Sequence, residues 1–475
     1  MPRSASILFA SLLLGVRALG QQVPPTVENA RVPQRGVIVP KVVALANPEQ
    51  SYALYLPSTY SSQKHWPIVY AFDPGARGST PVELMKDAAE RYGYIVVGSN
   101  NSRNGSWKIE AESAEAMLKD THARLSVDDR RVYFAGFSGG ARVAARIAQL
   151  CKCAAGVLLN GAGFQPEPSV SHEGPFVVFA AVGTYDFNYP ELVHTDEDLE
   201  ILGYTHFFRR FEGPHQWAPA SAMDEALAWF RLLAMKTGQE SREDSFVTSQ
   251  ATREAGLARA FEQSGDLYAA WKEYRQGAET LTGLADTAAM RARAEALEKD
   301  KAVRDGAKRE KQDFVVQEQL SREISSGLSA LHENQADRAE IRSAVEQQLL
   351  ALRGRAEHEK REDKLRVLKR ALAGLLIQAL EMGNERLDQK DVSRARDYFE
   401  LANAADPDSM WALDSVAVAR ATDGDRKGTL EALRRARSKT KDPVRFAEWL
   451  KEEPAFAKLR GTPEFTALLE TLLQH

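Results

Sequence analysis

Arg131-Val132-Tyr133-Phe134-Ala135-Gly136-Phe137-Ser138-Gly139-Gly140-Ala141-Arg142-Val143-Ala144-Ala145-Arg146-Ile147-Ala148 is the stretch on which the reading of this chain turns. After the leading arginine, Val132–Ala135 are β-branched, aromatic or apolar, and the run 131–135 reads as a strand. From Ala141 onward the pattern is helical. Between them lies Gly-x-Ser-x-Gly, and no second copy occurs in the chain. A serine on a tight strand-to-helix turn is held in a strained conformation, with the strand and the helix pressed together. The residues two before and two after it must therefore be small, and Gly136 and Gly140 satisfy that. The pattern alone is weak. The strand before it and the helix after it make Ser138 a candidate nucleophile, with the Gly139 N–H as an oxyanion donor. The bland reading is a glycine-rich turn that happens to contain serine.

Outward from this turn, strand-like and helical runs alternate. The candidate strands are 52–56, 68–72, 94–98, 132–136, 156–159, 176–182 and 204–211. The candidate helices are 81–92, 111–125, 140–150 and 222–235. Alternation of this kind predicts an α/β fold, a mostly parallel sheet covered on both faces, with functional residues at the carboxyl ends of the strands.

A nucleophile of this type needs an acid and then a base later in the chain. Asp186 follows the strand 176–182 in Gly183-Thr184-Tyr185-Asp186. The acidic run containing Asp196, Asp198 and Glu200 reads as solvated surface instead. Of nine histidines, His65, His122 and His172 come too early. His194 crowds Asp186, His206 lies inside a strand pattern, and His332, His358 and His475 lie in the helical half. His215 stands between the last strand and the last helix and completes the set. The second oxyanion donor is expected from the loop Asp73-Pro74-Gly75-Ala76-Arg77-Gly78. Proline has no N–H, which leaves Gly75 or Ala76. The loop Ser99–Trp107 borders the same end of the sheet, so Asn100, Asn101 and Trp107, with Trp217 beside the histidine, are candidate substrate contacts. The connection 160–175 is too short for an inserted lid.

With these motifs in place, residues of about 50–236 resemble the α/β-hydrolase superfamily, especially compact esterases of the phospholipase/carboxylesterase and polyhydroxybutyrate-depolymerase-like groups. The matching positions are Ser138 in the elbow, Asp186 in Gly-Thr-x-Asp and His215 ahead of Trp217. Those groups usually read His-Gly in the oxyanion loop, where this chain has Asp73-Pro74. The resemblance implies an α/β-hydrolase three-layer sandwich and acyl transfer, without naming a substrate.

The 475 residues carry a net charge of -4, which gives no reason to expect nucleic acid as partner. Arg3, the apolar run 7–14 and Ala18-Leu19-Gly20 read as a signal peptide, 1–20. The product is then secreted or periplasmic, with no integral membrane span after cleavage. Residues 21–48 read as a linker or arm, 49–237 as the hydrolase domain and 238–475 as an all-α helical-repeat domain. Within the last, 376–409 fits a tetratricopeptide frame, with Gly383, Ala395, Phe399, Ala402 and Pro407 at its packing positions. Looser copies precede it (Leu257, Ala258, Phe261, Gly265, Ala270, Tyr274) and follow it (Leu413, Ala417, Leu433, Ala436). Cys151 and Cys153 span too small a loop for an easy disulfide and read as two small buried hydrophobes. No metal-ligand spacing or nucleotide fingerprint is present, and the chemistry needs no cofactor. Three readings follow. One is a serine hydrolase acting on a small-molecule ester or acyl substrate. The second is a serine peptidase of the same fold. The third is a binding protein whose helical repeats hold a protein or peptide partner.

Overall fold

The computed structural model of the chain describes residues 33–165, 176–333, 337–440 and 442–473. It divides into two compact units, residues 1–309 and 310–475. The expected signal segment lies outside the described residues, as do His172, His475 and part of the connection after residue 165.

The first unit is built on eight strands: β1 (Ile38–Val43), β2 (Ser51–Tyr55), β3 (Trp66–Phe72), β4 (Ile95–Ser99), β5 (Val127–Phe137), β6 (Gly156–Asn160), β7 (Val177–Gly183) and β8 (His206–Phe211). They lie in the order β1-β2-β4-β3-β5-β6-β7-β8. The β1–β2 and β2–β4 pairs are antiparallel, and every later pair is parallel. All residues of β3 and β6 are buried, as expected of central parallel strands covered on both faces.

The helices that follow the strands are α1 (Ser79–Tyr92), α2 (Trp107–Arg124), α3 (Gly139–Cys151), α4 (Tyr189–Ile201) and α5 (Ala220–Lys236). One face of the sheet packs against α1 and α5. Val69, Ala71, Tyr133, Ala135 and Phe179 meet Val82, Met85, Met223, Leu227 and Phe230 there. Tyr133 and Phe230 stack with ring centroids 4.4 Å apart. On the opposite face Tyr70 bonds Thr121 of α2 at 2.7 Å. The α/β-hydrolase sandwich expected from the sequence is the fold of this unit, and the rest of the chain is helical.

Two parts of it differ from the sequence reading. The arm 21–48 is not all linker, because residues 38–43 form an antiparallel edge strand. Pro40 interrupts its apolar run, and an edge position tolerates that. A helix absent from the sequence reading, α4, links β7 to β8 and carries the acidic run at 196–200, with Asp198 and Glu200 exposed as expected.

Three more helices belong to the first unit: α6 (Asp244–Gln263), α7 (Leu267–Leu281) and α8 (Ala288–Glu298). They cover the outer side of α5, where Ala228, Leu232 and Met235 meet Phe246, Val247, Ala258, Ala270 and Tyr274. An ion cluster crosses the same junction. Arg209 of β8 grips Glu225 of α5 through two N–H groups at 2.5 and 2.6 Å, and Glu273 of α7 at 2.7 Å.

The helix α9 (Lys301–Glu333) leads into the second unit, which holds α10 (Arg338–His358), α11 (Glu362–Asp388), α12 (Val392–Ala405), α13 (Met410–Thr422), α14 (Arg426–Lys439), α15 (Pro443–Glu452) and α16 (Pro463–Leu473). The α11–α12 hairpin falls on the best repeat frame. A Cβ at Gly383 would collide with the Phe399 ring, and Ala395 and Ala402 are fully buried. No helix among the described residues is long and apolar enough to cross a membrane.

Cys151 and Cys153 are joined to each other at the end of α3. Both are half-buried. They are therefore not the pair of buried hydrophobes that their spacing suggested.

Candidate active site

The elbow is built as its glycines require. Strand β5 ends at Phe137, and Ser138 takes φ 53° and ψ −123° before α3 begins. Positive φ is costly for a residue with a Cβ, and such strain persists only where the surroundings hold it. Here the Ser138 N–H is tied to the Asn160 carbonyl at 2.8 Å. A Cβ on Gly136 would run into the Gly140 backbone, and one on Gly140 into the Phe72 carbonyl. Strand and helix therefore touch through their backbones. The Gly139 and Gly140 N–H groups at the start of α3 have no intrahelical acceptor and stand at the positive end of the helix dipole, whereas those of Ala141 and Arg142 donate to the Ser138 carbonyl.

Asp186 comes from the loop after β7 and His215 from the loop after β8. His215 Nε2 is 2.9 Å from Ser138 Oγ, and Nδ1 is 2.9 Å from both carboxylate oxygens of Asp186. An ionised carboxylate only accepts, so Nδ1 carries the proton and Nε2 is left to accept from the serine hydroxyl. Asp186 is fully buried and also accepts from the Asn188 N–H at 2.9 Å. The imidazole lies between two rings, with centroids 4.6 Å from Phe137 and 4.4 Å from Phe187. Sequence reasoning missed Phe187, since a lone aromatic beside an acid carries no pattern. The three residues picked out by order along the chain are brought into one hydrogen-bonded line.

The oxyanion loop departs from expectation. Asp73 is fully buried and acts as a hub. Its carboxylate accepts from the Gly75 N–H at 2.8 Å, from Arg77 Nε and Nη2 at 2.7 and 2.9 Å, and from Trp217 Nε1 at 2.8 Å. The Ala76 N–H donates to the Asp73 carbonyl at 3.1 Å. Both expected second donors, Gly75 and Ala76, are thus already engaged. The Asp73 side chain occupies the first, and an ordinary backbone turn closed on the residue 73 carbonyl occupies the second.

The expected substrate contacts divide. Asn100 Nδ2 donates to the Pro40 carbonyl at 3.1 Å. Asn101 accepts from the Ser51 N–H at 2.8 Å and donates to the Glu49 carbonyl at 3.0 Å. Both fasten the β1–β2 edge instead of lining the site. Trp217 is buried and spends its indole N–H on Asp73, so it joins the histidine loop to the oxyanion loop and is not displayed to a ligand. Trp107 opens α2, and the Arg146 guanidinium lies 4.0 Å over its ring. Burial raises the nearby Glu110 carboxyl to about 7, with Arg146 opposing it.

Asn104, in the same 99–107 loop, is the member that reaches the elbow. A Cβ on Gly139 would collide with its carboxamide. On the other side of α3, Arg142 forks onto Glu191 of α4 with two bonds of 2.9 Å, and Glu191 also accepts from the Gly163 N–H at 2.8 Å. This brace fixes the loop after β6 against the elbow helix.

No family model and no curated protein sequence matches the chain. Among solved structures it is similar to an S-formylglutathione hydrolase from Staphylococcus aureus. That likeness has 14% identity and a TM-score of 0.34, over 42% of this chain and 99% of the other. It is similar to a feruloyl esterase module from Clostridium thermocellum at 19% identity and a TM-score of 0.35, over 44% and 92%. An esterase from Pyrobaculum calidifontis aligns at 12% identity and a TM-score of 0.36, over 48% and 90%.

Proposed function

We propose that this chain is an exported serine hydrolase that cleaves a carboxylic ester through an acyl-enzyme on Ser138. The observation that carries the reading is the unbroken line Ser138–His215–Asp186, with every link at 2.9 Å. In the first half-reaction His215 Nε2 takes the hydroxyl proton as Ser138 Oγ attacks the ester carbonyl. The buried Asp186 carboxylate holds the imidazole tautomer and stabilises the imidazolium. The tetrahedral oxyanion meets the Gly139 N–H at the start of α3. His215 then passes its proton to the leaving alcohol, and the acyl group stays on Ser138. In the second half-reaction His215 takes a proton from water, the hydroxide adds to the acyl carbon, and Ser138 Oγ leaves with that proton. The rings of Phe137 and Phe187, packed against the imidazole, restrict its rotation away from these partners.

Export to the periplasm or medium is part of this proposal and rests on the pattern of residues 1–20. The helix pairs from α11 to α14 are proposed as tetratricopeptide-like repeats that hold a protein or peptide partner. The packing of Gly383 on Phe399 supports that reading.

The test is labelling of the full chain by a fluorophosphonate probe, alongside turnover of p-nitrophenyl acetate and butyrate. Wild type should label and turn over, while Ser138→Ala and His215→Ala should do neither. A folded wild type that takes no label would refute the nucleophile. Turnover of peptide amides but not esters would move the activity to a peptidase.

A further inference from the structure

Cys151 and Cys153 are the only cysteines in the chain, and the proposed acyl transfer uses neither. They are joined to each other across one residue at the end of α3, with Cα atoms 5.1 Å apart. A crosslink stabilises a fold chiefly by restricting the unfolded chain, and it restricts more the longer the loop it closes. Closing residues 151–153 restricts very little. In the chain-entropy relation a loop of three residues shifts the folding equilibrium by about 15-fold, against about 3 × 10³-fold for a loop of 100 residues. Linkage makes this factor reciprocal. What the closed bond adds to the fold is what the fold adds to the closed bond. Structural disulfides resist the glutathione pool because their folds hold them closed, and loop closure gives this one almost none of that protection.

The local structure gives it little more. Neither cysteine is buried, and Lys152 between them is exposed. Lys152 takes φ 51° and ψ 16°, a left-handed conformation that glycine usually fills at a helix end because a Cβ makes it costly. At such an end the following N–H ordinarily turns back to a helix carbonyl. Here that N–H belongs to Cys153, and it donates to Cys151 Sγ at 3.1 Å. The same donor is in place to stabilise a thiolate on Cys151, as is the ammonium of the adjoining Lys152. The core does not hang on the crosslink. The buried face of α3, with Val143, Ala144, Ile147 and Ala148, lies before it, and the fully buried β6 begins after it at Gly156.

We infer that Cys151-Lys152-Cys153 is a thiol–disulfide exchange site, opened and closed by a low-molecular-weight thiol of the glutathione class while the fold stays intact. The inference is independent of Ser138. A partner thiolate attacks Cys153 Sγ, the Sγ–Sγ bond breaks, and Cys151 leaves as a thiolate, which gives a mixed disulfide on Cys153. A second partner thiolate attacks the partner's sulfur in that adduct and releases the Cys153 thiolate. Two partner thiols are thereby oxidised to one disulfide, the protein disulfide takes up the two electrons, and the two thiol protons pass to Cys151 and Cys153. Oxidised partner reverses the steps and closes the bond.

The test equilibrates the full chain with mixtures of reduced and oxidised glutathione, quenches with acid, alkylates with maleimide and counts the labels by intact mass. A synthetic peptide of residues 148–156 serves as the unfolded reference. The equilibrium constants of chain and peptide against glutathione should agree within about 30-fold. The melting temperature of the first unit should differ by less than about 4 °C between the open and closed forms. Cys151→Ser leaves Cys153 alone and should accumulate one glutathione per chain. Wild type should not accumulate it, because Cys151 expels it from the adduct. A pair held closed beyond the peptide by more than that bound overturns the assignment and makes the bond a staple of the fold. So does an opening that lowers the melting temperature by more than the stated shift. A pair that oxidised glutathione fails to close overturns it as well, and so does an adduct that accumulates equally on wild type and Cys151→Ser.

Discussion

Glu254→Gln should make the first compact unit more stable above neutral pH and leave it unchanged in mild acid. Glu254 lies on α6, is nearly fully buried, and one of its carboxylate oxygens has no partner. It faces Glu225 of α5, Glu273 of α7, Arg209 of β8 and Arg253 of its own helix. Burial, and then repulsion from Glu225, raise its carboxyl from 4.5 to about 7, against the attraction of Arg209 and Arg253. Between these two values the folded chain binds a proton that the unfolded chain has lost. Stability therefore falls as pH rises through that window, and the loss is complete above about 7. At 1.36 kcal/mol per pKa unit, the shift corresponds to about 3 kcal/mol. Glutamine keeps the shape and abolishes the ionisation. Urea unfolding followed by tryptophan fluorescence, at pH 4.5 and pH 8, provides the assay. The first transition of Glu254→Gln should coincide with wild type at the lower pH and lie about 1–3 kcal/mol higher at pH 8. A variant less stable than wild type at pH 8 would refute the reasoning. It would mean that Arg209 and Arg253 more than offset the desolvation of a third carboxylate.

Three further outcomes test the site and its supports. Asp186→Asn leaves the imidazole in the wrong tautomer and should lower kcat by about 10⁴-fold, measured on p-nitrophenyl acetate, with the melting temperature little changed. Trp217→Phe removes the indole bond to the buried Asp73 and should cost about 1.5–3 kcal/mol in denaturant unfolding. Gly140→Ala places a methyl group against the Phe72 carbonyl and should cost about 1–3 kcal/mol or more, read as a lowered melting temperature of the first unit.

The sequence made the sheet legible because its central strands are buried on both faces and so read as unbroken apolar runs. The elbow was legible because backbone contact at Gly136 and Gly140 leaves a glycine signature. His215 and Asp186 were found by order along the chain, and the line they make with Ser138 has the geometry that order implies. The edge strand β1 was missed because Pro40 and Lys41 break its apolar pattern. The state of the oxyanion loop is not legible in sequence, because neither the capture of the Gly75 N–H by the Asp73 carboxylate nor the turn that takes the Ala76 N–H leaves a residue pattern. In the 99–107 loop, position at the carboxyl end of a strand points equally to the asparagines at 100 and 101. Their bonds run backward to the β1–β2 edge, and Asn104, further from the strand end, is the one that arrives at the elbow. No local pattern separates three asparagines in one loop. Only the bridge between Gly75 and Arg103 does so, and that is a contact between segments far apart in the chain.

The strand pattern stops at β8, and the eye places a domain border soon after α5. The physical border lies at Arg309. A chain shortened to residue 237 would put Ala228, Leu232 and Met235 into water and take Glu273 from Arg209. Such a fragment would be sticky and short-lived even with every residue of the site present. Anyone excising the first unit should cut beyond α8, because α6–α8 pack as part of it.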